Sequence, residues 1–316
     1  LQALPVTGVI LVPDHQVDRE PFQAPVGMRL NELAHEIGGE KVELILLDDR
    51  SSDDSWAILQ GYRDHPRVAH LLRNEANSGG PFRQWEKGIA LARGRYVWIA
   101  ESDDWCEPSF LDTMLEGLRA DPDCVLAYCQ AYFVGVDGAI NWQSRHDRLA
   151  EMLDGHDFIR RKMAPTSIYN ASMAVWRRDC HARIPKDFTG YRFCGDWLFW
   201  VELARLGKVH ISGKLLDYYR QHPQNVSTGV YRSGLNFVEE LRVANWMHGE
   251  GLVGDREYAA FYKRKYREYW LARDRLNPAL HAQIRQLFAR PASRGIPMLQ
   301  IRASAWWASL RRRQST

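Results

Sequence analysis

Five short apolar runs mark the first half of the chain: Val9–Val12, Val42–Leu47, Val68–Leu72, Tyr96–Ala100 and Val125–Tyr128. They are continuous rather than alternating, the pattern of strands covered on both faces. Between them, helical spacing of apolar residues predicts helices at Arg29–Ile37, Ser55–Arg63, Phe82–Ala92 and Ser109–Arg119. Strand and helix in alternation predict an α/β fold with a doubly wound, mostly parallel sheet and helices on both faces. Ligands of such sheets bind beyond the carboxyl ends of the strands, so the residues directly after each strand are where chemistry is expected. From about Tyr231 the pattern turns helical throughout, with Val238–Trp246, Tyr258–Leu271, Ala279–Phe288 and Leu299–Leu310.

The second strand runs into Asp48-Asp49-Arg50-Ser51-Ser52-Asp53-Asp54-Ser55. Asp and Ser favour turns and helix N-caps, which accounts for Asp54 and Ser55. Two adjacent carboxylates at the strand end have a second reading, as acceptors for a nucleotide base or ribose. The fourth strand runs into Glu101-Ser102-Asp103-Asp104-Trp105. Adjacent carboxylates repel and gain nothing from burial without a cation. A hard divalent ion resolves the repulsion and bridges to substrate phosphates. Between these segments lies Asn77-Ser78-Gly79-Gly80, followed by Arg83. Its glycines either let the loop pass close to a ligand or make a turn.

Two later segments add candidates. Gly195-Asp196 opens an apolar helix that Gly207 ends, so Asp196 is either a helix cap or a general base. Arg220 and His222 follow the strand-like run Leu215–Tyr219. They are suited to meet a diphosphate, or His222 to complete a metal shell.

Composition narrows the class. Over 316 residues, 45% apolar and 26% charged content describes a globular chain. A net charge of +3 gives no reason to expect a nucleic-acid partner. No run reaches the ~20 apolar residues of a membrane span, and the first residues carry no expected signal peptide. Five cysteines without a Cys-x-x-Cys pair are expected as reduced thiols.

In this order the motifs resemble the family-2 inverting glycosyltransferases of the GT-A fold. The residues that carry the resemblance are Asp48–Asp53, Asn77-Ser78-Gly79, Gly94-Arg95-Tyr96-Val97, Glu101–Asp104, Gly195-Asp196 and Arg220–Asn225, spanning roughly Val6 to Ser227. The resemblance implies a GT-A catalytic domain over residues 1–230, with a nucleotide-sugar half to about 105, an acceptor half from 106, and a helical extension over 231–316. It implies a nucleotide-diphosphate sugar donor and a Mn²⁺ or Mg²⁺ ion. Donor contacts would come from Asp48, Asp49, Asn77, Gly79, Arg83, Asp103 and Arg220. Metal ligands would be Asp103, Asp104 and His222, with Asp104 the more direct of the two aspartates, and Asp196 would be the catalytic base.

Two departures stand out: Pro13-Asp14-His15-Gln16 replaces the family's usual first loop, and Gly195 stands where Glu is common. The expected acceptor is a saccharide or a lipid-linked hydroxyl in cell-surface polysaccharide or glycoconjugate synthesis. A nucleotidyltransferase of similar fold and a non-catalytic sugar-binding subunit are the alternatives. The first lacks a Gly-rich basic loop after the first strand, and the second leaves the retained aspartates unexplained. The expected location is cytoplasmic. Trp306, Trp307 and Arg311-Arg312-Arg313 give the tail two readings. One is an amphipathic helix on the inner membrane face, and the other is a helix packed on the catalytic domain with a solvated basic end.

Overall fold

The computed structural model describes residues 42–223 and 225–289, the backbone of 7–12, and the single positions 303 and 306. The expected helix Arg29–Ile37, the atypical first loop and most of Leu299–Leu310 lie outside the described residues.

Strand β1 (Thr7–Val12) runs parallel to β2 (Val42–Asp48) on one side and to β4 (Tyr96–Glu101) on the other. β2 pairs in parallel with β3 (Val68–Arg73). Every residue of β2 is buried, as its unbroken apolar run requires. Helix α1 (Ser55–Gln60) leads from β2 to β3, and α2 (Pro81–Leu91) leads from β3 to β4. Pro81 at the first helical position suits a helix start, since its missing N–H has no intrahelical partner to lose.

Beyond β4 the sheet is mixed. β9 (Ala174–Arg177) inserts antiparallel between β4 and β6 (Cys124–Val134). β6 pairs in parallel with the long β10 (Lys208–Arg220), and β5 (Trp105–Cys106) closes that edge antiparallel to β10. The order is β3-β2-β1-β4-β9-β6-β10-β5, with β7 (Ile140–Gln143) in a hairpin on β6 and β8 (Ala150–Asp154) beside β10. Helix α3 (Phe110–Arg119) crosses β10 closely at Gly117, where a Cβ would stand 2.3 Å from the His210 ring. Helix α4 (Gly195–Ala204) is apolar nearly all round and buries Trp197 through Val201. Its Phe199 and Trp200 meet Trp85 of α2 at ring separations of 6.0 Å, and Phe199 meets Trp176 of β9 at 5.1 Å.

The chain divides into two compact units, residues 1–155 with 168–226 and residues 156–167 with 227–316. Helix α5 (Val226–Ser233) begins at this division. The second unit contains α6 (Leu235–Gly249), α7 (Asp255–Ala272) and α8 (Pro278–Ala289). Tyr262, Tyr266 and Tyr269 of α7 surround Phe288 of α8 at 4.9, 5.1 and 5.4 Å. Lys265 is buried against Glu240 at 2.5 Å. Burial raises the Glu240 carboxyl although Lys265 opposes it. All five cysteines are free. Among the described residues, no helix is long and apolar enough to cross a membrane.

Candidate functional site

The two acidic segments stand at the carboxyl ends of β2 and β4, the strands that flank β1. Asp48 is buried, accepts the Ser51 N–H at 3.1 Å and lies 2.8 Å from Arg73 Nε. The chain turns sharply here because Arg50 adopts a left-handed conformation, φ 66°. Asp49 is committed more fully. Its Oδ1 accepts the Asn74 Nδ2, Ser78 N and Gln84 Nε2 protons at 2.6, 2.8 and 2.5 Å, and its Oδ2 accepts Ser78 Oγ at 2.7 Å. One buried carboxylate thus gathers β3's end, the 77–80 loop and α2.

Asn77 completes this loop. It donates to the Asp49 carbonyl at 2.9 Å and accepts the Gly79 N–H at 2.9 Å. Gly79 has φ +87°, where a side chain would be strained. Arg83 is exposed, and its Nη1 donates to the Ser78 carbonyl at 2.6 Å. Asp48, Asp49, Asn77, Gly79 and Arg83 therefore form one loop-holding network.

At the end of β4, ligand oxygens of Glu101, Asp103 and Asp104 come within 4.8 Å of one another. Asp104 is wholly buried and well occupied. Its Oδ2 accepts Ser172 Oγ at 2.7 Å and Asn170 Nδ2 at 3.0 Å, and its Oδ1 accepts the Arg220 main-chain N–H at 3.0 Å. Asp103 is different. Its Oδ2 lies 3.1 Å from His222 Nε2, while its buried Oδ1 accepts no hydrogen bond among the described residues. A buried carboxylate oxygen with no donor costs free energy unless a cation meets it. Asp103 Oδ1, with no described donor, and Asp104 Oδ1, with one, both keep lone pairs for a hard divalent ion.

Arg220 brings a second contact, with its guanidinium 5.5 Å from the centre of the Trp105 ring. Trp105 stacks on Tyr218 at 5.1 Å, and Tyr218 on Tyr132 at 5.1 Å. The Tyr218 hydroxyl donates to Glu107 Oε1 at 2.5 Å. That bond, helped by burial, pushes its pKa up to about 12.

Asn170, Ser172 and Asp217 are site residues that the local pattern did not single out. Asn170 caps the short turn Ala171–Met173 with its Oδ1 and spans Asp104 and Asp217 with its Nδ2, at 3.0 and 3.1 Å. Ser172 Oγ also accepts the Glu101 N–H at 3.0 Å.

Asp196 lies inside the first turn of α4, not at its cap, and its Oδ1 accepts the Trp197 N–H at 2.6 Å. The preceding Gly195 is explained by packing. A Cβ there would stand 2.4 Å from Phe82 Cδ2 and 2.5 Å from the Phe188 carbonyl oxygen. A Glu has no room at this position, where Gly195 lies against Phe82 of α2.

Comparison with known proteins bears on family and fold. The chain is 26% identical over 150 residues to glycosyltransferase GlyG of Streptococcus pneumoniae, covering 47% of this chain and 46% of that protein. It is 30% identical over 142 residues to glycosyltransferase YibD of Escherichia coli, covering 44% and 40%. The chain thus spans under half the length of these relatives. Its fold is similar to the crystal structure of Staphylococcus aureus TarS residues 1–349 in complex with UDP-GlcNAc, with TM-score 0.63 and 18% identity over 89% of this chain and 79% of that one. The sequence profile of Glycosyl transferase family 2 matches residues 26–184, half of the chain, and the chain belongs to that family.

Proposed function

We propose that the chain is an inverting, divalent-metal-dependent glycosyltransferase that moves a sugar from a nucleotide-diphosphate donor to an acceptor hydroxyl. The observation that carries this reading is the acidic cluster at the end of β4, in which buried Asp103 presents an oxygen without a hydrogen-bond donor. The fold shared with TarS, whose crystal structure holds UDP-GlcNAc, supports a uridine nucleotide as first donor candidate.

Asp103 and Asp104, with Glu101 and His222 beside them, would hold a Mn²⁺ or Mg²⁺ ion, and the hydrogen bonds to Asp104 would fix the turn that presents both. Such an ion, when bound, acts as a Lewis acid that neutralises a departing diphosphate. Asp49 and Asn77 would shape the nucleoside loop, and Gly79 lets it pass close to the nucleotide. Arg220, held on Trp105, would face the diphosphate. Asp196 would take the proton of the acceptor hydroxyl as that oxygen attacks the anomeric carbon. One in-line displacement inverts the anomeric configuration.

Polysaccharide synthesis fits relatives such as the teichuronic acid biosynthesis glycosyltransferase TuaG of Bacillus subtilis. We place the reaction on the cytoplasmic side. For the tail 299–313, co-sedimentation with anionic vesicles of the full chain against one ending at Arg294 tests the expected membrane contact.

The test is thermal shift with UDP, with and without Mn²⁺, on the wild type and Asp103→Asn. Stabilisation that needs Mn²⁺ and vanishes in the variant is the expected result. Equal metal-dependent stabilisation of both proteins would overturn the metal assignment.

A further inference from the structure

On the β6–β10 face opposite to the Trp105 stack stands a second aromatic cluster. Phe133 of β6 is buried and touches three rings: Trp142 of β7 at 4.6 Å, Tyr169 at 5.3 Å and Tyr219 of β10 at 5.3 Å. Trp142 and Tyr169 also meet edge to face at 5.3 Å. The outer two are open to solvent, Trp142 at 50% and Tyr169 at 43%. Trp142 lies on β7, every residue of which is exposed, with Phe133 beneath it as a floor.

The cluster adjoins the acidic site along two chain segments. Tyr169 precedes Asn170, and Tyr219 precedes Arg220, and both of those successors hold Asp104. Asp217, two residues before Tyr219 on β10, faces the same side and shares Asn170 with Asp104. The cluster is therefore next in the chain to the residues that hold Asp104.

We propose that Trp142 and Tyr169 form an acceptor subsite that stacks on the apolar C–H face of a pyranose, one or more units from the reacting hydroxyl. This rests on the glycosyltransferase reading above. Aromatic faces are electron-rich and pair with the polarised C–H bonds of a sugar, and two rings at right angles give a corner rather than a flat patch. The area argues for a saccharide over a protein partner. Two half-open rings fall well short of the ~800 Å² that each side of a stable protein interface covers. They match one or two sugar units instead.

The experiment uses the full chain on a glycan array, with UDP thermal shift in parallel, for the wild type, Trp142→Ala, Tyr169→Ala and Trp142→Phe. The expected result is retention of a subset of glycans by the wild type. Each alanine variant should weaken it about tenfold or more, Trp142→Phe should recover most of it, and UDP binding should not change. Binding of the same glycans by the alanine variants at wild-type strength, or no glycan retained by the wild type, overturns the subsite. Self-association of the wild type that Trp142→Ala abolishes, with glycan retention untouched, overturns it in favour of a second copy of the chain. Loss of the UDP response in the wild type alone, with glycan retention intact, counts against the donor reading and leaves this subsite standing.

Discussion

Asp49→Ala separates a structural from a ligand-binding carboxylate. Removing Asp49 leaves the Gln84, Asn74 and Ser78 donors without their acceptor, and Gln84 is only 1% exposed. An orphaned buried donor costs about 1–3 kcal/mol, with Gln84 at the upper end and the two part-buried groups lower. These costs share one centre and do not add fully, so we expect about 4 kcal/mol. At about 2–4 °C per kcal/mol for a unit of this size, Tm falls by roughly 8–16 °C. Asp49→Asn keeps one acceptor oxygen and loses the charge, so its fall should be less than half as large. The assay is circular-dichroism melting without nucleotide, followed by UDP titration at a temperature where both proteins are folded. A fall below about 3 °C in Asp49→Ala, with UDP affinity reduced, would refute the reasoning and return Asp49 to direct nucleoside contact.

Asp196→Asn should keep the KM for donor near wild type and lower kcat on the order of 10²-fold or more; a kcat within threefold of wild type would leave Asp196 a helix residue only. Gly195→Ala should destabilise by about 2 kcal/mol because its Cβ meets Phe82 Cδ2 at 2.4 Å, and an unchanged urea midpoint would show that α2 and α4 separate freely. Glu86 of α2 pairs with His181 at 2.7 Å and with Lys186, and this cluster predicts an acid limb. Burial alone would raise Glu86, but Lys186 and His181 outweigh it and hold the carboxyl below its ordinary value of 4.5. Its stabilisation is complete above that value and is lost as pH falls through the lowered one. Glu86→Gln should therefore flatten the fall in Tm below about pH 4.5, and an acid limb of the same steepness in the variant would dismiss the cluster as its source.

The buried strands were legible because unbroken apolar runs leave little choice of structure. β6 and β10 proved longer than their apolar cores, Val125–Tyr128 and Leu215–Tyr219. Gln130 interrupts the first run, yet Ser144 and the Ser212 carbonyl satisfy it inside the sheet. Ser212-Gly213-Lys214 interrupts the second, at irregular pairing with β6. The sheet's antiparallel members escaped notice for other reasons. β9 has four residues, and β7 exposes all of its own, so neither shows the periodicity that a local reading detects.

The aspartate pairs stood out by adjacency, but their division of labour did not. Asp104 is engaged from positions 66, 68 and 116 residues away. Only the closed fold brings Asn170, Ser172 and Arg220 to it, and His222 to Asp103. Likewise the Gly195 departure has no meaning until Phe82, in another helix, is seen against it.

Arg220 donates its main-chain N–H to Asp104. Every residue type except proline supplies that proton. The side chain at 220 can therefore be exchanged during divergence, changing the charge over Trp105, while the carboxylate beneath keeps its seat. Substitution at 220 can alter the charge over Trp105 while keeping that main-chain bond, and proline is the one replacement that removes its donor.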